Sequence, residues 1–107
     1  MQFTYGDGTY SEGHKRFQGQ IVLSEHKLFL KSSHEDLTAT YIPLEKIEGL
    51  KKRFGTLDIF VRPSLAYRYT ATMQGNSRKI TELTKDIVER RGLKKKFLKN
   101  EWFEGPQ

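Results

Sequence analysis

At 107 residues, with 36% hydrophobic and 12% aromatic content, the chain has material for one globular core and no room for a catalytic domain beside a regulatory one. Its 30% charged content is slightly above the usual quarter and excludes a disordered-type composition. The absence of cysteine excludes disulfides and thiolate metal sites and fits a reducing compartment, so the chain reads as cytoplasmic.

The net charge of +6 is unevenly spread. Residues 1 to 50 carry five Lys or Arg against seven Asp or Glu, a net of −2, and residues 51 to 107 carry fourteen against six, a net of +8. That asymmetry points the second half at an anionic partner: acidic lipid, nucleic acid or an acidic protein surface. The competing reading is a basic protein whose lysines only keep it dispersed. Met1 to Tyr10 has neither the basic start nor the apolar run of a signal peptide. No uninterrupted apolar stretch approaches the roughly 18 residues of a membrane span, so the chain reads as soluble, not transmembrane.

Gln2 to Tyr5 reads as a short edge strand, ended by a turn at Gly6-Asp7-Gly8. Phe17, Gly19, Ile21 and Leu23 alternate with Gln18 and Gln20, the period of two of a half-buried strand. Ser24 to His26 turns the chain, and Leu28 and Leu30 alternate with Lys27, Phe29 and Lys31 to complete a hairpin. Ser33 to Asp36 reads as a turn. Thr38 to Ile42 is rich in β-branched and aromatic residues and reads as a strand that stops at Pro43, which has no amide to donate to a ladder. Leu44 and Ile47 form a short apolar bridge.

Ile47 to Phe54 reads as the next strand, with Leu50 and Phe54 on one side and Lys51 and Arg53 on the other. Gly55 ends it. Leu57, Ile59 and Val61 alternate with Asp58 and Arg62, and Pro63-Ser64 marks the turn before Tyr67, Tyr69, Ala71 and Met73. The period then changes. Ile80, Leu83, Ile87 and Val88 fall on one stripe at about 100° per residue, with Thr84 inside it. Asn76 or Ser77 caps the start of this helix, because a short side-chain oxygen satisfies amides with no partner one turn back, and Gly92 closes its end. About seven short strands followed by one helix predict an α+β fold, a half-open antiparallel barrel closed by a C-terminal amphipathic helix. Residues 1–92 read as the domain and 93–107 as a basic, aromatic tail.

Gly19-Gln20-Ile21-Val22-Leu23-Ser24 followed by Leu28-Phe29-Leu30, and Tyr41-Ile42-Pro43-Leu44-Glu45-Lys46-Ile47, resemble the first hairpin and the strand-Ile-Pro step of pleckstrin-homology-like domains. The resemblance covers roughly residues 15 to 92 and implies a non-catalytic binding or adaptor fold of the GRAM or prokaryotic type. It departs from eukaryotic members, which carry a Trp inside the C-terminal helix, whereas Trp102 lies beyond Gly92. The first hairpin also lacks the Lys-x-Lys/Arg-x-Arg arrangement of phosphoinositide binders, offering Lys27 and Lys31 with His14, Lys15 and Arg16 before it.

No enzyme signature is present: there is no Walker loop, no dinucleotide fingerprint and no nucleophile elbow. His14, His26 and His34 lack metal-ligand spacing and read as turn histidines, and His34-Glu35-Asp36 reads as a polar hairpin tip. No cofactor is implied. Two basic clusters carry the functional expectation. Lys51-Lys52-Arg53, with Arg62 and Arg68 flanking the Pro63-Ser64 turn, presents a basic rim to an anion, or blunts an edge strand against aggregation. Lys94-Lys95-Lys96 and Lys99 interleave with Phe97 and Trp102, so the tail either forms an amphipathic segment for an anionic membrane or partner, or folds its aromatics back onto the core. The expected function is a cytoplasmic or membrane-peripheral binding module whose basic surface meets an acidic protein surface or anionic lipid headgroups. The alternative is a nucleic-acid-binding accessory domain.

Overall fold

The computed structural model describes residues 2–31, 41–96 and 99–104. Among these residues the strands are β1 (Phe3–Glu12), β2 (Lys15–Leu23), β3 (Lys27–Lys31), β4 (Tyr41–Pro43), β5 (Ile47–Arg53), β6 (Thr56–Ser64), β7 (Tyr67–Gly75), β8 (Lys94–Lys95) and β9 (Glu101–Phe103). A 3-10 turn at Leu44–Lys46 precedes β5, and the helix α1 spans Ser77–Arg91. The strands form one antiparallel sheet in the order β4-β3-β2-β1-β7-β6-β5-β9-β8. It does not close, leaving β4 and β8 as its edges.

The sheet is bent by what it has to bury. Nine strands laid flat at about 4.8 Å spacing would span about 38 Å, far more than one helix covers. Leu28 and Leu30 of β3 and Ile42 of β4 nevertheless share one core with Leu50 of β5, near the opposite end of the strand order. Ile21, Leu23, Leu57, Ile59, Val61, Leu83 and Ile87 lie in that same core, as the alternating and helical periods predict.

Helix α1 starts where Asn76 Oδ1 accepts the amides of Arg78 (3.0 Å) and Lys79 (3.2 Å). It ends at Gly92, whose φ of 64° is left-handed. Its buried stripe is Ile80, Leu83, Thr84 and Ile87, and the Thr84 hydroxyl donates to the Ile80 carbonyl at 2.8 Å. Val88 is half-buried.

Three expectations need correction. The first strand does not stop at Gly6: β1 runs to Glu12 through a register shift between Thr4 and Asp7, because Gly6 (φ 79°) absorbs a bulge where the local sequence reads as a turn. Among the described residues the sheet has nine strands where about seven are expected, since segments that follow the helix in the chain add β8 and β9. Opposite charges four apart in the sequence predict the pairs Arg78–Glu82, Lys85–Glu89 and Asp86–Arg90 along the helix, and the helix does not form them. Lys79 approaches Glu82 instead (3.8 Å), Asp86 accepts the Tyr5 hydroxyl (2.5 Å), and Arg90 donates to the Ser24 carbonyl (2.6 Å). Tertiary partners with fixed positions outcompete exposed pairs worth a few tenths of a kcal/mol, about 0.2–0.5. The turn read at Ser33 to Asp36 and the start of the strand at Thr38 lie outside the described residues.

Leu83 is fully buried between helix and sheet, so Leu83→Ala should lower the unfolding free energy by about 2–5 kcal/mol, measured by denaturant titration. A loss under about 1 kcal/mol would place the stripe at the surface. Tyr5 gives a second expectation. Burial, and then its hydrogen bond to Asp86 and that carboxylate's charge, push its phenol above the ordinary value. The folded state therefore keeps this proton to higher pH than the unfolded chain. Its contribution is complete below the unfolded phenol pKa of about 10 and is lost as pH rises beyond it. Thermal unfolding followed from pH 8 to 11 (about one unit to either side of that value) should show a fall that Tyr5→Phe makes shallower.

Candidate functional site

The two basic clusters, some forty residues apart in the chain, meet at one end of the sheet. In the β5–β9 ladder Gly49 faces Phe103, Leu50 faces Trp102 and Lys51 faces Glu101. In the β8–β9 ladder Lys94 faces Phe103 and Lys95 faces Trp102. Side chains alternate along a strand, so Lys51, Arg53 and Lys94 share the outer face with Phe60 and Phe103, while Lys52 and Lys95 share the other face with Leu50 and Trp102. The Lys96 ammonium lies over the Phe103 ring, 5.2 Å from its centroid, which places it on the outer face as well.

Gly49 makes this arrangement possible. It sits between Phe60 on β6 and Phe103 on β9, and those rings stack at 5.6 Å with an interplanar angle of 17°. A Cβ at Gly49 would run into the Phe103 ring. The aromatic pair thus covers the gap left by the missing side chain and holds β9 against β5. Trp102 is half-buried and packs against the core, so it resolves toward the core rather than toward a free amphipathic segment. Phe97 lies outside the described residues. The Lys95 ammonium lies 6.0 Å from the Trp102 ring centroid.

Charge at the site is only partly compensated. Arg53 donates to both Asp58 oxygens (3.1 and 2.9 Å), and Asp58 also accepts the Thr72 hydroxyl at 2.9 Å. Lys96 is 4.0 Å from Glu101. Among the described residues no ion pair holds Lys51, Lys52, Lys94, Lys95 or Lys99. Five lysines therefore leave a local positive potential that Asp58 and Glu101 do not cancel.

Arg62 and Arg68 are not part of this group. They lie toward the opposite end of β6 and β7, where Arg68 reaches Glu48 at 3.4 Å. No ion pair holds Arg62 among the described residues.

Phe54 departs most from the sequence pattern. The alternation puts it beside Leu50, but β5 ends at Arg53 and Phe54 occupies the two-residue turn with Gly55 (φ 67°), 90% exposed. Lys99 and Asn100, just before β9, lie alongside: the Lys52 amide donates to the Asn100 carbonyl at 2.8 Å, and the Lys99 amide to the Lys96 carbonyl at 3.2 Å. The signal for this in the sequence is a Phe-Gly pair between two alternating runs, at a place where turns favour Asn-Gly or Asp-Gly.

A separate cleft of about 490 Å3 at the C-terminal end of α1 is lined by Glu25, His26, Leu44, Glu45, Arg90 and Arg91. Its arginines are structurally engaged. Arg90 bonds the Ser24 carbonyl at 2.6 Å, and Arg91 bonds the Ile47 carbonyl (3.1 and 2.9 Å) and Glu104 (2.8 Å). They staple the helix end to the sheet. Among the described residues no group of His, Asp or Glu is arranged to hold a metal ion, and no helix is long and apolar enough to cross a membrane.

Gly49→Ala should destabilise the fold by about 1–3 kcal/mol through overpacking, and amide exchange should quicken first at Trp102 and Phe103 as β9 loosens. Unchanged exchange there would show that the glycine does not control the docking of β9. No protein-family model and no curated protein sequence matches the chain.

Proposed function

We propose that the chain is a non-catalytic binding module of the pleckstrin-homology-like type that docks peripherally on an anionic membrane surface through the basic end of β5, β9 and β8. The observation that carries this reading is that Lys51-Lys52 on β5 and Lys94-Lys95 on β8 flank the same three-residue strand, β9, with no ion pair on any of them among the described residues. Each basic residue near an anionic leaflet contributes about 1 kcal/mol, so a rigid group of five is enough for reversible attachment. Seven antiparallel strands in the order β4-β3-β2-β1-β7-β6-β5, followed by a helix across the core, support the resemblance to that superfold. In this reading β8 and β9 extend the sheet, and β8 carries two of the five lysines, Lys94 and Lys95.

An acidic protein surface is the second reading, and one observation favours it. On the outer face Lys51 and Arg53 neighbour Asp58, and Lys51 and Lys96 neighbour Glu101. A mixed pattern of that kind rewards a partner with fixed, complementary charges more than a uniform lipid surface does.

Sedimentation with phosphatidylserine-containing vesicles, and with phosphatidylcholine alone, tests the proposal. Binding should require the anionic lipid and weaken between about 50 and 200 mM salt as screening shortens. Lys51→Glu with Lys52→Glu, and separately Lys94→Glu with Lys95→Glu, should each weaken it by about tenfold or more. Absence of vesicle binding, with binding to nucleic acid whose affinity falls as a steep power of salt, would replace the membrane by a phosphate backbone.

A further inference from the structure

Resting on the membrane-docking reading, we infer that the β5–β6 hairpin is the element that enters the membrane, with Phe54 inserting between the lipid headgroups. Phe54 is 90% exposed and contributes nothing to the core. It stands at a turn position that favours small polar residues or glycine, so neither packing nor turn chemistry explains a phenyl ring there. A single exposed apolar residue is ordinary on a protein surface. What sets Phe54 apart is its surroundings: Lys51, Lys52 and Arg53 lead into it, and Lys96 and Lys99 lie alongside that strand end. An apolar tip ringed by cations is the pattern that suits an interface with acyl chains below and anionic headgroups around.

Distance along the strands sorts the charges. At about 3.4 Å per residue, Lys51 stands about 10 Å behind the tip. That is about one Debye length at physiological salt, so Lys51, Lys52, Lys96 and Lys99 feel the leaflet most when the tip touches it, and Lys95 and Lys94, level with Leu50 and Gly49 at about 14 and 17 Å, feel it less. Arg62 lies six residues along β6 from Thr56, about 20 Å from the same end, and is screened. The hairpin is also held in advance. Arg53 pairs with Thr56, the Gly75 amide donates to the Gly55 carbonyl at 3.1 Å, and the Lys52 amide donates to Asn100 at 2.8 Å. Insertion therefore orders little that is not already ordered. The competing tip is Leu65, 89% exposed at the other end of β6. Of the two arginines that flank it, Arg68 is engaged by Glu48.

The chain has no cysteine, so single cysteines can be labelled at will. Phe54→Cys and Leu65→Cys, each carrying a polarity-sensitive fluorophore, would be mixed with phosphatidylserine–phosphatidylcholine vesicles and with lipids bearing acyl-chain quenchers. The label at 54 should shift to the blue and be quenched, and the label at 65 should stay in water. Phe54→Ser should lower vesicle affinity tenfold or more with an unchanged far-ultraviolet spectrum, while Arg62→Glu should change it less than twofold. If the native chain binds the vesicles but Phe54→Ser binds equally well and the label at 54 does not shift, the inference fails and the docking reading stands. A shift at 65 in place of 54 overturns the inference by assigning insertion to the opposite end. If the native chain ignores anionic vesicles, both readings fall.

Discussion

The pairing of β1 with β7 is the join on which the rest of the molecule depends. β1 is hydrogen-bonded to β2 on one side and β7 on the other, so it unites the N-terminal hairpins with the later meander. At one end of the β1–β7 ladder Gly8 faces Gly75, the last residue of β7. A Cβ on Gly8 would come within 2.5 Å of the Gln74 carbonyl and 2.6 Å of the Ile21 side chain. Two glycines in register thus let the backbones and Ile21 share space that side chains would otherwise fill. Without this seam each half would be an open sheet with one apolar face in water. With it, the two halves enclose one core and α1 covers it. Strands this far apart in sequence pair only after a long loop is closed, so the seam is also the slow, non-local step expected of such a topology.

Once the seam is formed, β5 stands at the end of the meander with a free edge, and β9 takes it. The recognition is steric as well as hydrogen-bonded: Gly49 leaves a gap that Phe103 covers while stacking on Phe60. Trp102, one residue earlier, turns to the other face and joins the core margin. A three-residue strand is therefore held from both of its faces. The new edge, β8, is two residues long and both are lysines. Short, charged edges resist pairing with other chains, so Lys94 and Lys95 serve solubility whether or not they also meet a ligand.

The electrostatics separate holding charges from available ones. Arg91 is bonded to a backbone carbonyl and to Glu104, and Arg53 to both oxygens of Asp58. These arginines fix geometry, as their planar fork is suited to do. The lysines without ion pairs are single, hydrated charges on flexible stems, able to follow a diffuse anionic surface without requiring one bonding geometry. Their concentration at one end gives the molecule a direction, and there exposed Phe54 lies beside basic residues of two neighbouring strand ends.

Local physics was legible in the sequence. Alternation marked β2, β3, β5, β6 and β7, and identified Ile21, Leu23, Leu28, Leu30, Leu57, Ile59 and Val61 as core. The 3.6 period identified Leu83 and Ile87, and Asn76 and Gly92 bounded the helix. These features depend on residues within one turn or one strand of each other, so the chain itself carries them. The tertiary structure decided the rest. The bulge that carries β1 past Gly6, the docking of β9 on Gly49, the meeting of Lys51-Lys52 with Lys94-Lys95, and the ending of β5 one residue before Phe54 all turn on which backbone lies beside which. A period of two tells which side of a strand a residue faces, but main-chain hydrogen bonds are the same for every residue type. The identity of a strand's neighbour is therefore settled only when the whole core closes.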